Sequence, residues 1–467
     1  MVTGKKENKE STTLDNKTIT DRLGHESIGK LLATYAIPAI VGTMVMSLYN
    51  IVDRIYIGQG VGAEAISGLA LTFPVMTLSG ACGMLIGAGA GARISIFLGK
   101  GDRPKAEKVL GNSLILVMII ASLYSLINFI WLKPILKAYG GTDVTLPYAV
   151  DYLKIIIPFT MLNNLSFGFN NMMRASGYPQ KAMLTMMISA LANVILDPIF
   201  IFGFKMGIEG AAIATVISMA ITTVWVMIHF SNSNHTISFH KEGFKLNKRI
   251  IISIISIGMS PFLINVTASV VNVIMNRSLL LHGGDLAIGA FGIINSVSMV
   301  LVMLIIGLCQ GMQPIVGYNY GARNILRVER AYNKTVIVAT IISAVGFLLA
   351  LFIPDIIVNG FTTDKELMAI AVPGLRFTLL AFPIVGFQIV TTNLFQSLGM
   401  AWKAIFLSLS RQVLFLIPLI WILPQFYDLT GVWIASPTSD VIAGIVAFFF
   451  LNYQWKRFKI AMSTDSK

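Results

Sequence analysis

Residues 31–57, LLATYAIPAIVGTMVMSLYNIVDRIYI, decide the fold. The stretch is apolar or small apart from a few hydroxyls, Asn50 and the Asp53-Arg54 pair. At about 1.5 Å per helical residue it is long enough to cross a hydrocarbon core about 30 Å thick. An ionisable side chain at that depth costs on the order of 2.5–3.5 kcal/mol on insertion scales. Asp53, near the far end of the run, therefore needs a partner and marks a functional position.

The composition extends this reading to the whole chain. Its 467 residues are 55% hydrophobic and 12% charged, with a mean hydropathy of +0.76, which fits a polytopic membrane protein and not a soluble globular one. Residues 1–27 are polar and mixed in charge, lack the apolar core of a signal peptide and read as a cytosolic tail. Cys82 and Cys309 both fall in apolar runs and read as small core residues. The apolar runs define about twelve spans, near 30–57, 66–92, 109–132, 148–173, 182–204, 209–230, 249–281, 287–318, 332–354, 368–395, 403–423 and 430–454. Alternate connections hold the basic residues. Counting the tails and a Lys403/Arg411 connection, roughly 27 of the 35 Lys and Arg fall on one side, which by the positive-inside rule places both termini in the cytoplasm. The net charge of +13 is thus topological, and no basic cluster interleaved with aromatics points to nucleic acid.

A weak repeat at an offset of about 220 residues spans six helices and leaves both halves in the same orientation. Pro38 matches Pro261, Asp53-Arg54 matches Asn276-Arg277, Pro198 matches Pro418 and Gly210 matches Gly431. The expected fold class is an all-α membrane protein of twelve transmembrane helices in two pseudo-symmetric six-helix bundles, with a cavity between them. Its parts are an N-terminal tail (1–27), an N-terminal lobe (28–230), a cytoplasmic linker (231–248), a C-terminal lobe (249–455) and a C-terminal tail (456–467). The first half carries carboxylates inside its spans, whereas the second has Asn276 opposite Asp53; Asp440 is its one arguable exception. Ion chemistry is therefore expected in the first lobe.

Asn193 and Asp197, in Asn193-Val194-Ile195-Leu196-Asp197-Pro198, are four apart and share a helical face, as do Tyr49 and Asp53. Asp53 and Asp197 both lie in the outer half of outward-running spans. Pro198 donates no backbone hydrogen bond and frees a carbonyl near Leu196 or Val194. Thr215 offers a hydroxyl at similar depth. Two carboxyls sharing a low-dielectric pocket do not both ionise readily, so one holds a proton unless a cation such as Na⁺ compensates, which is the physics of a coupling site. The competing reading pairs Asp53 with Arg54 at the interface and lets Asp197 end a kinked helix. Gly83, Gly87 and Gly91 suit close helix packing. The methionines around Met172, Met173 and Met186 fit either an adaptable binding wall or core filling. Asn170, Asn272 and Gln388 fit either helix glue or a cavity wall.

Together, the Tyr-Asn-x-x-Asp of residues 49–53, Leu98-Gly99-Lys100-Gly101-Asp102, Arg174-Ala175-Ser176-Gly177, the Asn-x-x-x-Asp-Pro of 193–198, Gly210-Ala211-Ala212-Ile213-Ala214-Thr215 and Gly317-Tyr318-Asn319-Tyr320-Gly321-Ala322 resemble the multidrug and toxic compound extrusion (MATE) family, its bacterial DinF-like, MepA-like branch. The resemblance covers residues 27–455. It implies a monomeric, multi-pass protein of a prokaryotic plasma membrane, not an enzyme. It also implies export of small-molecule drugs and xenobiotics, amphipathic and often cationic, in exchange for H⁺ or Na⁺, with no cofactor and only membrane lipids as further partners. By motif, the coupling site falls on Asp53 and Asp197 with Asn193, Thr215 and Tyr49; Na⁺, if it is the ion, takes Asp53, Asn193, Asp197 and Thr215. Asn170, Tyr152, Met173, Asn272 and Gln388 are the candidate substrate contacts. The alternative is a lipid-linked oligosaccharide or polysaccharide flippase of the same superfamily, whose cavity is expected to carry several Arg or Lys.

Overall fold

The computed structural model describes residues 21–465. Residues 1–20 of the expected N-terminal tail, and 466 and 467, lie outside them. Every element among the described residues is helical. The first lobe comprises α1 (Ile28–Gly60), α2 (Ala63–Gly99), α3 (Arg103–Ile130), α4 (Leu132–Ala138), α5 (Leu146–Ile156), α6 (Thr160–Ala175), α7 (Pro179–Pro198) and α8 (Gly207–Ser231). The second comprises α9 (Lys248–Gly321), α10 (Ile325–Phe352), α11 (Pro354–Asn359), α12 (Lys365–Thr378), α13 (Phe382–Ser397), α14 (Ala401–Leu409), α15 (Ile417–Ile422) and α16 (Pro424–Asp465). The last helix thus runs through most of the expected C-terminal tail.

Nine of the described helices are long and apolar enough to cross a membrane, ten when α12 and α13, bent by 52°, count as one span. Two further features bring the count to twelve. α9 has 74 residues, which as one straight helix would reach roughly 110 Å, far beyond a bilayer core. It breaks at Gly284 (φ 69°, ψ −164°), a conformation that glycine alone adopts readily. Both Gly258 and Tyr318 touch the same half of α2, so the arms before and after Gly284 run back to back. α5 and α6 are joined through a 3₁₀ turn at Ile157–Phe159 and form one interrupted span, broken where Pro158 lacks an amide donor.

The repeat is visible in atomic detail. Asp102 caps α3 by accepting from the Lys105 amide, and Asn324, 222 positions on, caps α10 by accepting from the Arg327 amide. Gly99 lies against Tyr318, and Gly321 lies against Ile96 (Gly99 to Gly321 and Ile96 to Tyr318, 222 positions each). Gly89 faces Ile254 and Gly258, while Gly311 faces Ala36 in the corresponding place. At each of these glycines a Cβ would come closer than 3.0 Å to the backbone of the other lobe. The lobes are therefore joined backbone to backbone at the end that carries the basic loops. Gln313 reinforces the seam by donating to the Ala88 carbonyl at 3.1 Å, as does an Arg93 to Ser253 hydrogen bond. Gly87, on another face of α2, packs on Gly168 of α6, in line with the packing reading of the glycine spacing. Cys82 and Cys309 are free and buried.

One basic residue is not where its spacing suggested. Arg411 was expected in a connection beside Lys403, but α14 begins at Ala401, so Arg411 sits ten residues, about 15 Å, inside the span.

The linker between lobes is pinned to the first. The Asn112 side chain donates to the Gly243 carbonyl (2.9 Å) and accepts from the Asn247 amide (2.8 Å). His235 stacks on His229 at 4.0 Å between ring centroids, its Nδ1 is 2.7 Å from the His229 carbonyl, and the Thr236 amide donates to the Tyr178 hydroxyl (3.1 Å). Burial holds the His235 pKa below its ordinary value; the His229 carbonyl opposes this and the nearby Lys181 cation reinforces it. A depressed histidine binds its proton more readily when released, so this contribution to the clasp is lost as pH falls below about 6.5. Hydrogen exchange of the linker, corrected for intrinsic rates, is expected to be faster at pH 5.5 than at pH 7.5, and His235→Gln is expected to flatten that difference.

Candidate functional site

α1 presents Asp53, α7 presents Asn193 and Asp197 one turn apart, α8 presents Thr215 and α5 presents Tyr152. All five are buried. The Asn193 amide donates to Thr215 Oγ1 at 3.2 Å and to Asp197 Oδ1 at 3.4 Å. The Asp53 and Asp197 carboxyls meet side chain to side chain. Tyr49, half-buried, stands beside both acids, and the Tyr152 hydroxyl neighbours Thr215. Three buried oxygens, Asp53 Oδ1, Asp197 Oδ2 and Asn193 Oδ1, have no hydrogen-bond partner among the described residues. Such oxygens cost on the order of 1–3 kcal/mol each when left without a donor or cation.

The local sequence explains the geometry. The i, i+4 spacing stacks Asn193 over Asp197, and Pro198 is followed by a π-helical turn at Ile199–Gly203, a distortion frequent at functional positions. The Leu196 carbonyl accepts from the Ile199 amide, so of the two acceptors expected to be freed, only that of Val194 faces the missing Pro198 amide. Arg54 is exposed and among the described residues makes no ion pair with Asp53, which removes the Asp53-Arg54 pairing. The Asn50 side chain lies outside the described ones.

The five expected substrate contacts do not form one site. Tyr152 belongs to the carboxyl cluster. Met173 is fully buried on α6 in a core cluster with Phe169 of its own helix and Phe230 of α8, so it is core filling. Gln388 donates to the Leu407 carbonyl at 3.3 Å and acts as helix glue. Asn170 is also glue, donating to the Ala182 carbonyl (2.6 Å) and accepting from Arg174 Nη2 (2.9 Å), though it borders a cavity of about 40 Å³ between α1, α6, α7 and α8. Asn272 lines a larger cavity of about 300 Å³ in the other lobe. Both of these cavities lie within lobes.

The second lobe corrects one further expectation. Its larger cavity contains a buried acid, Asp440, whose Oδ1 accepts from Arg411 Nε at 2.6 Å. The sequence signal was present in Asp440 itself, but Arg411, counted with a cytoplasmic connection although it falls inside the 403–423 span, was not recognised as its partner. No group of three or more His, Cys, Asp or Glu able to hold a metal ion occurs among the described residues.

A two-lobed bundle of apolar helices long enough to cross a membrane, with an oxygen-rich carboxyl cluster buried in one lobe, defines a polytopic membrane protein. The MatE family model matches residues 38–199 and 249–422, and the chain belongs to that family, as the motifs indicated. It is 29% identical over 425 residues to the multidrug export protein MepA of Staphylococcus haemolyticus (91% of this chain, 93% of that protein). It is 28% identical over 422 residues to that of Staphylococcus aureus (strain MSSA476; 90% and 93%). Among solved structures, it shares its fold with a MATE in the bent conformation (TM-score 0.90, 23% identity, 95% of this chain and 99% of that one). It shares it also with the outward-facing conformation of a multidrug resistance MATE family transporter of the MOP superfamily (TM-score 0.87, 24% identity, 94% and 98%).

Proposed function

We propose that this chain is a multidrug exporter of a prokaryotic plasma membrane, exchanging small amphipathic, often cationic, compounds for H⁺ or Na⁺ by alternating access, and that it is not an enzyme. The observation that carries the reading is the set of three partnerless oxygens around two facing carboxyls. Ionised carboxylates and amide oxygens are acceptors only. The cluster is therefore balanced by one proton or by one Na⁺ held among Asp53, Asn193, Asp197 and Thr215. Multidrug export by the MepA relatives, similar over nine-tenths of the chain, supports the substrate class.

Both termini and the basic loops face the cytoplasm in this reading. The glycine seam then closes the cytoplasmic side, and the lobes are poised to release substrate outward. The functional unit is the single chain in its lipid surroundings. The flippase alternative is less favoured, since the cavity of the second lobe carries a single arginine where several basic groups are expected.

Ethidium uptake into everted vesicles, whose lumen corresponds to the cell exterior, under an imposed pH gradient (lumen acidic), then under an imposed Na⁺ gradient (lumen loaded), tests the proposal. One of the two gradients is expected to drive export severalfold above vesicles lacking the protein. Failure of both removes the antiporter reading.

A further inference from the structure

The 300 Å³ cavity of the second lobe is walled by both arms of α9, by α16, by the π-helical turn Ser410–Leu416 between α14 and α15, and by Thr378 and Phe382 where α12 meets α13. By the repeat the first arm of α9, α16 and Ser410–Leu416 are the counterparts of α1, α8 and the stretch of α7 that holds Asn193, elements around the Asp53 cluster. The charge they hold is different. Where the first lobe opposes two acids, the second opposes Arg411 to Asp440.

The pair is asymmetric in what it offers to a ligand. Asp440 is 3% exposed and its carboxyl is engaged by Arg411 Nε. Arg411 is 26% exposed on its side chain and lines the cavity. Its backbone is held by Ser439, which donates to its carbonyl at 2.7 Å, and the next residue is held by a Thr267 to Gln412 hydrogen bond. The guanidinium spends one N–H on Asp440, leaving the four N–H of Nη1 and Nη2 with no acceptor among the described residues. Around it are apolar and aromatic walls from Met275, Phe291, Phe382 and Trp433, with Asn272 at the side. A planar fork of free N–H donors above an aromatic wall matches a carboxylate on a flat ring system. An amphipathic cation, by contrast, would meet the guanidinium with the only acid already committed. The volume is at the small end of ligand pockets and suits two fused rings with a short acidic arm.

We propose that this cavity is a second ligand site, selective for the carboxylate of a small amphipathic aromatic acid or zwitterion, with Arg411 as its recognition group. The first lobe then handles the coupling ion while the second selects on ligand charge. The inference concerns binding and needs no ion gradient, so it stands or falls separately from the exchange reaction.

Isothermal titration of the purified full-length protein with 1-naphthaleneacetate and with its neutral isostere 1-naphthaleneacetamide is the test. The acetate is expected to bind at least about tenfold more tightly, as a charge-assisted hydrogen-bonded pair implies. In R411Q/D440N, which removes both charges and leaves no buried charge alone, the preference is expected to vanish while the amide still binds, which also verifies folding. Asn272→Trp, which keeps the ion pair and fills the cavity, is expected to lose both ligands. Equal affinity for the two ligands in the native protein, a preference that survives in R411Q/D440N, or acetate binding that survives in Asn272→Trp each overturns the proposal.

Discussion

Asp53→Asn and Asp197→Asn are each expected to reduce ion-driven export in proteoliposomes to the level of vesicles without protein, while the protein stays folded. Asparagine keeps the shape of the side chain and its place in the cluster but cannot take up a proton or neutralise a cation. An ion drives a two-state transporter only through its different affinity for the two states. Moving such an equilibrium from 1:99 to 99:1 takes a difference of about 10⁴-fold. A site left with a single carboxyl and an extra amide loses the charge change on which that difference depends. Stability is expected to move the other way. The new amide at position 197 supplies a donor to the Asp53 oxygen that now lacks one, worth on the order of 1 kcal/mol, so the melting temperature should hold or rise. A large drop in melting temperature would assign the acids a structural role, and ordinary exchange in either variant would remove them from the coupling site.

The carboxyl cluster was legible because each of its signals is local. A carboxylate in an apolar run is expensive wherever it occurs, the i, i+4 spacing of Asn193 and Asp197 fixes a shared face, and equal depth in two outward-running spans suggests a meeting. Long-range facts were less accessible. Arg411 looked like a loop residue because basic residues usually mark span ends, and only the partner at Asp440, 29 positions away, makes its burial affordable. Tyr152 was assigned to substrate because nothing in its neighbourhood says that the break at Ile157–Phe159 turns α5 toward Thr215. The glycines of α2 read as packing residues, correctly, but the sequence does not distinguish Gly87, which faces α6 of its own lobe, from Gly89, which faces the other lobe. The fold followed from periodicity and the repeat; which faces meet depends on crossing angles that hydropathy does not encode.

That distinction leads to a second large effect. Gly258→Val is expected to abolish export and to open the seam at the basic end, although each lobe still folds. A Cβ at Gly258 would overlap the Leu85 carbonyl well inside 3.0 Å, and the obstacle is backbone, which has no alternative rotamer. The substitution leaves the interior of the second lobe little changed, because the clash lies across the seam against α2. The least costly response is separation of the lobes, which biases the protein away from the state described. Gly311→Val, whose Cβ would meet Ala36 Cα at 2.6 Å, strikes the repeat counterpart of this contact from the other side, Ala36 being the residue that matches Gly258, and is expected to act alike. Gly80→Ala and Gly292→Ala are the controls, since a Cβ there meets nothing within 4 Å. The readout is a short bifunctional crosslink between Arg93→Cys and Ser253→Cys, whose native side chains touch across the seam, in a background with Cys82 and Cys309 replaced by alanine. Crosslinking should fall at least about tenfold in both valine variants, because a single buried backbone clash outweighs the few side-chain bonds that hold the seam. Retained crosslinking with lost export would instead mean that the seam tolerates the methyl groups and that export requires motion elsewhere. Because the contact pairs are repeated in both lobes, a seam that opens from one side alone would break the two-fold relation, and the two valine variants should therefore be no more damaging together than apart.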